Sequence, residues 1–172
     1  MKITLFTSNN IRHNYLIKLL SSISDELFVV QERCAIFQGV IPNHYKASPI
    51  MKKYFSSVNN AQFKLFANPS LDNLNNNVKF LPLNFGELNK HPIESFSEFL
   101  QSDFYVVYGS SYIKGKLVDF LIKQKAINIH AGVSPYYRGT DCNFWALYDG
   151  NPHLVGTTIH LLSKGLDNGP ML

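Results

Sequence analysis

The stretch "KITLFTSNNIRHNYLIKLLSSISDELFVVQE", Lys2 to Glu32, decides the fold class. Its first apolar run, "KITLF", reads as a short strand ended by the turn-formers "TSNN". "NYLIKLLSSI" then sets Tyr15, Leu16, Leu19, Leu20 and Ile23 at helical spacing. "LFVVQE" follows as a β-branched, buried strand. Strand, helix and buried strand in succession make a βαβ unit, which favours a parallel sheet covered by helices.

The alternation resumes downstream. "IESFSEFLQ" predicts a helix, and "DFYVVYG" a buried strand stopped by Gly109. "YIKGKLVDFLIKQ" predicts an amphipathic helix with Leu117, Phe120 and Leu121 inward and Lys114, Lys116, Lys123 and Lys125 outward. "AINIH" is a strand, and "DCNFWALYDG" a helix capped by Asp141 and ended by Gly150. "LVGTTIHLL" alternates as a strand, and "GLDNGPML" turns and begins another. Between Gly39 and Asn89 the pattern is weaker. "SPIMKKYFSSV" reads as a helix opened by Pro49, "NPSLDNLNNN" as a surface loop and "VKFLPL" as a short strand. The whole predicts an α/β chain with a doubly wound, mostly parallel sheet and helices on both faces.

At 172 residues the chain is expected to form one domain, residues 1–172. Hydrophobic content of 45% and charged content of 16% are globular values. A net charge of +4 suits an anionic small molecule but does not argue for nucleic acid. Cys34 and Cys142 belong to no C-x-x-C pattern, so reduced cysteines are expected. No signal peptide or membrane-length apolar run is present, and the expectation is a soluble, cytoplasmic protein. No phosphate-loop pattern and no metal-ligand spacing occurs.

The chemistry gathers in "INIHAGVSPYYRG", Ile127 to Gly139. Residues i and i+2 of a strand face one way, so Asn128 and His130 project together. Gly132 and Pro135 end the strand just beyond them, at the edge where open α/β sheets hold ligands. An imidazole exchanges protons near neutrality, and an amide N–H meets an oxyanion without changing charge. The pair therefore suits acyl transfer through a tetrahedral intermediate. Taken alone, it reads more often as strand-end residues capping backbone groups. In "GTTIHLLSKGLDNGP", Asp167 follows the strand that carries His160. An acid there can orient and charge-stabilise an imidazolium; alone, it reads as a turn residue.

Together, "N-I-H-x-x-x-x-P-x-x-x-G" and "G-x-T-x-H-x-x-x-x-x-x-D-x-G" resemble the formyltransferase family that uses N10-formyltetrahydrofolate. The paired motif covers Asn128 to Met171, and the pairing reverses both of the blander readings. The resemblance implies a Rossmann-like fold, with Asn128, His130 and Asp167 as catalytic residues. It implies that Asn128 and protonated His130 stabilise the oxyanion while Asp167 keeps His130 charged and helps remove the amine proton. It also implies folate contacts at Tyr112 and Ile113, after the strand "VVYG", and at Ser163 and Gly165, before Asp167.

Within the family, nucleotide-linked sugar N-formyltransferases are the most similar. "TSNN" lacks the glycines that would cradle a ribose phosphate. Tyr136, Tyr137, Arg138 and Trp145 supply flat faces and a cation for a nucleotide-linked amino sugar, while Phe144 is expected on the buried side of its helix. The expected partners are that sugar and folate, with no nucleic acid, no membrane and no metal; a homodimer stays open. Many relatives read "NIHPSLLP", and here Ala131, Gly132 and Ser134 depart from that pattern, which bears on the acceptor. Relatives continue beyond the position of Leu172, so the chain reads as shortened at its C-terminal end. Other acceptors (glycinamide ribonucleotide or methionyl-tRNA), a formyl-folate hydrolase and a non-catalytic folate- or nucleotide-binding domain are the alternatives.

Overall fold

A computed structural model describes residues 1–33, 49–66, 71 and 74–172. Cys34 and much of the proposed "NPSLDNLNNN" loop lie outside the described residues. The described residues build one six-stranded sheet from β1 (Lys2–Ser8), β2 (Glu26–Arg33), β3 (Val78–Asn84), β4 (Phe104–Tyr108), β5 (Ile127–His130) and β6 (Thr158–Leu161). The strand order is β3-β2-β1-β4-β5-β6. The first five strands run parallel and β6 pairs antiparallel to β5. This is the doubly wound arrangement, and its strand order reverses between β1 and β4.

Alternation along the central strands divides two apolar layers. Ile3 and Leu5, Leu27 and Val29, and Val106 face one side, where Ile17 of helix α1 (Ile11–Ile23) packs on them. Phe6, Phe28, Val30, Tyr105 and Val107 face the other, under Leu117, Val118 and Leu121 of α3 (Gly115–Lys123). Both faces are thus covered, as a parallel sheet requires. The four lysines expected on the outside of α3 are exposed. Helix α2 (Pro49–Phe66) begins at Pro49 and packs on α1 through Tyr15 and Phe66, whose rings lie 5.3 Å apart.

Three expectations are corrected. In α1 Leu16 and Leu20 pack on the core as expected, together with Ile17, while Tyr15, Leu19 and Ile23 are exposed. The fully buried residues His13 and Ser21 are polar, so an apolar period could not mark them. "IESFSEFLQ" forms only a short 3-10 turn, Ile93–Phe96. The chain just beyond it is held by strand side chains: Thr4 Oγ1 bonds Phe99 O, and Tyr105 Oη bonds Leu100 O at 2.7 Å. Asp141 does stand at the start of α4 (Cys142–Tyr148), but its side chain makes no capping hydrogen bond and its backbone is left-handed, φ 55°.

The approach to β5 is built by the end of α3. Lys125 takes a left-handed φ of 55°, Ala126 N bonds Leu121 O at 2.9 Å and Lys125 N bonds Ile122 O at 3.0 Å. That pairing closes the helix in a Schellman turn and sends the chain directly into the sheet.

Candidate active site

Asn128 and His130 occupy β5 near its C-terminal end, and both side chains are buried on one face. The antiparallel register sets His160 opposite Asn128 and Thr158 opposite His130. Directly opposed residues of antiparallel strands share a face, so β6 delivers His160 to Asn128 without any loop. The turns after β6 then bring Asp167 back over the pair, with its own backbone left-handed at φ 43°. Gly169 permits that return, because a Cβ there would stand 1.8 Å from Leu161 O.

The hydrogen bonds define how the cluster is held. Asn128 Nδ2 donates to Asp167 Oδ1 at 2.9 Å and faces His160 Nε2 at 3.0 Å. His160 Nδ1 lies 2.8 Å from Leu161 O, which can only accept, so the proton of His160 sits on Nδ1 and Nε2 accepts from Asn128. The 3.8 Å approach of His160 Nε2 to Asp167 is then no ion pair. His130 differs. Its Nε2 lies 2.9 Å from Tyr137 O and its Nδ1 3.3 Å from Asp167 Oδ2. Tyr137 O can only accept, so Nε2 carries a proton, and a second proton on Nδ1 would pair the ring with Asp167. Asp167 is only 12% exposed, and Gly139 N–H adds a further donor at 2.8 Å to Oδ2. The His130 ring and the Asp167 carboxylate thus stand side by side, held by neutral groups.

Both amide protons of Asn128 are engaged here, one by Asp167 and one by His160, so the expected oxyanion role requires one of those bonds to open when substrate binds. His160 belongs to the cluster as well; its place in the second motif was the available signal.

The loop that departs from the usual pattern holds the cluster through those departures. A Cβ on Gly132 would lie 2.5 Å from His130 Nε2 and 2.6 Å from Cys142 Cβ. Ser134 Oγ donates to Asp167 O at 2.9 Å, and its N–H bonds Thr158 Oγ1 at 3.0 Å. Cys142 is buried beside this loop. Burial, then the charges of Asp167 and Asp141, push its thiol pKa up, so it stays protonated and donates weakly to Gly139 O.

The two segments expected to meet folate come together. Tyr112 Oη donates to Lys164 O, and Ser163 Oγ bonds Asn168 and Gly165 O, while a Cβ on Gly165 would overlap the Asn168 amide. Ile113, by contrast, points its side chain into the core at 5% exposure. Asn89, not expected, clamps this loop: its Nδ2 bonds Tyr112 O at 2.8 Å and its Oδ1 accepts from Lys114 N at 2.7 Å.

The expected acceptor residues divide. Tyr136 and Trp145 are exposed, and Arg138 is exposed with Nε on Pro135 O at 3.2 Å. The Tyr137 ring is turned away: its hydroxyl donates to Asp149 at 3.1 Å and accepts from Asn151 at 3.0 Å, and its contribution to the cluster is its carbonyl. Phe144 is not on the buried side of α4; Cys142 and Ala146 are. Phe144, Trp145 and Tyr148 form an exposed aromatic group that Tyr54 of α2 joins, 5.8 Å from Phe144.

A polar cleft of about 230 Å³ lies apart from the cluster, lined by Asn9, Asn14, Gln31, Arg33 and Leu71. No group of three His, Cys, Asp or Glu side chains is placed to hold a metal ion among the described residues, and no described helix is long and apolar enough to cross a membrane.

Residues 60–172 match the profile of the family described as "Formyl transferase", and the chain belongs to that family. Over 73 residues it is 38% identical to a methionyl-tRNA formyltransferase of Thermosynechococcus vestitus, a match covering 42% of this chain and 22% of that protein. The matched part spans under a quarter of the length of the first such relatives. Among solved structures, phosphoribosylglycinamide formyltransferase of Anaplasma phagocytophilum superposes with a TM-score of 0.58 at 16% identity, over 99% of this chain and 69% of that one. A sugar N-formyltransferase from a Shewanella species gives 0.54 at 16% identity, over all of this chain and 55% of that one. At these identities the superpositions speak for the Rossmann-like formyltransferase fold.

Proposed function

We propose that this chain transfers a formyl group from N10-formyltetrahydrofolate to the primary amine of a nucleotide-linked amino sugar. The observation that carries the transfer is the His130–Asp167 pair with Asn128 and His160 behind it. The residues fit a bound carbonyl electrophile, because a charged donor stands beside an anchored carboxylate where two loops meet. Formyl-folate supplies the one-carbon electrophile when bound. His130 keeps Nδ1–H on Asp167. Its Nε2–H, engaged by Tyr137 O, is the donor able to turn toward the oxygen on which charge develops. Asp167 holds the imidazolium, takes up the proton shed by the attacking amine, and returns it to the folate N10 as the bond between N10 and the formyl carbon breaks. Asn128 and His160 keep Asp167 from rotating.

The amino-sugar acceptor draws support from Tyr136, Trp145, Phe144, Tyr148 and Arg138, exposed on the loop and helix that follow His130. Aromatic faces suit a sugar ring or base, and a guanidinium suits a phosphate. Identity to methionyl-tRNA formyltransferases over 73 residues favours a second reading, with an aminoacylated tRNA as acceptor. A panel of amines separates them: glycinamide ribonucleotide, methionyl-tRNA, and nucleotide-linked 3- and 4-amino sugars, each with N10-formyltetrahydrofolate. Formylation of an amino sugar in preference to the others is expected. Preference for methionyl-tRNA or the ribonucleotide would replace the acceptor, and formate release without an amine would indicate a hydrolase.

A further inference from the structure

Glu32, next to last in β2, faces the α3 side of the sheet at 1% exposure. Its carboxylate forms no ion pair among the described residues. Three neutral donors hold it instead. Oε2 accepts Ser111 N–H at 2.6 Å, and Oε1 accepts Ser111 Oγ–H at 2.8 Å and Gly86 N–H at 2.9 Å. A carboxylate withdrawn from water is costly unless fully hydrogen-bonded, and an apolar side chain would close a strand end more cheaply. The charge is therefore spent on the loops it binds.

The register shows what those loops are. Ser8 of β1 lies opposite Glu32, and Thr7 of β1 lies opposite Tyr108 of β4. The Glu32 side chain thus crosses the end of β1, where the strand order reverses and α/β folds place ligands. It grips the segment after β4 at Ser111. The next residue, Tyr112, bonds Lys164 O in the loop before Asp167. Both candidate folate-facing loops are tied to one buried carboxylate through Ser111.

We propose that Glu32 is the positioning residue of the folate site, presetting the Ser110–Ile113 segment for the cofactor without touching it. The inference rests on the formyl-folate reading. In Glu32→Gln, the amide NH₂ would confront the N–H of Ser111 or Gly86, so the tether is lost with little change of shape.

The test uses Glu32→Gln, Ser111→Ala and the double variant, with calorimetric binding of 5-formyltetrahydrofolate and steady-state formyl transfer. For Glu32→Gln, the Kd and the formyl-folate KM are expected to rise about tenfold, the scale of one charge-assisted hydrogen bond. Saturated kcat and acceptor KM should stay within about threefold, a split that general loosening would not produce. Ser111→Ala should weaken folate by about threefold, and the double variant should be no worse than Glu32→Gln, because both remove one contact. Unchanged folate affinity in Glu32→Gln overturns the proposal, as does a fall in kcat that follows a fall in Tm. Should Glu32→Gln not fold, Ser111→Ala decides alone, and parental affinity in it overturns the proposal. A parent chain that neither binds the folate nor transfers formyl refutes the formyl-folate reading itself, and this inference with it.

Discussion

Asn128 gives Asp167 one of its two amide protons, at 2.9 Å, and gives the other to His160. The amide is thereby a support for the carboxylate, and the two residues act as one unit. Residues that act as a unit are non-additive when removed. Asp167→Asn is expected to lower kcat by about 10²–10⁴-fold, the range of acid–base groups, with folate affinity nearly unchanged. The Asn128→Ala/Asp167→Asn double variant should be no slower than Asp167→Asn. An independent oxyanion donor would instead add a loss of about 10²–10³-fold. Single-turnover rates at saturating formyl-folate distinguish the two.

His130→Gln is expected to abolish most turnover while leaving the fold intact. Glutamine can donate to Asp167 or to Tyr137 O, but it carries no charge. Formyl transfer should fall by at least about 10²-fold with the thermal midpoint shifted by only a few degrees. Near-parental kcat would remove His130 from the chemistry.

His13 gives the chain an acid-sensitive point away from that cluster. Burial, then the Arg12 charge, pulls its pKa down to about 3 against the ordinary 6.5, although the bond to Ser8 works the other way. The folded state therefore prefers neutral His13. Its contribution is complete above pH 6.5 and shrinks as pH falls toward 3, amounting to a loss of about 2 kcal/mol by pH 5. Urea unfolding at pH 7.5, 6 and 5 should show this slope, and His13→Phe, which keeps a ring against Tyr108, should flatten it.

Gly109 is set against the same imidazole. Its φ is +68°, and a Cβ would lie 2.3 Å from His13 Cε1. Gly109→Ala combines left-handed strain with overpacking, for an expected loss of about 2–4 kcal/mol. Gly150→Ala, also at positive φ but with open space around it, should cost only the strain, about 1–2 kcal/mol. Paired denaturation curves measure the difference.

Trp145→Ala tests the acceptor surface. The ring is 48% exposed and stands among Phe144 and Tyr148, so its loss should not unfold the chain. The acceptor KM is expected to rise about tenfold with the formyl-folate KM unchanged, the scale of one lost aromatic contact.

The local pattern determined the parallel sheet, the strands at Lys2, Glu26 and Ile127, the amphipathic α3 and the shared face of Asn128 and His130. Each depends on periodicity within a few residues, and period two or 3.6 is written directly in the order of side chains. The motif spacing also marked Asp167. Tertiary structure alone decided the rest, because it turns on partners distant in the chain. Thr4 of β1 holds the carbonyl of Phe99, a segment far along the chain that no local pattern links to it. His13 faces inward, against its polarity, because Ser8 of β1 and Tyr108 of β4 meet its ring. The antiparallel entry of β6 gives His160 to Asn128, and that bond, invisible in any local pattern, joins the amide to the cluster around Asp167.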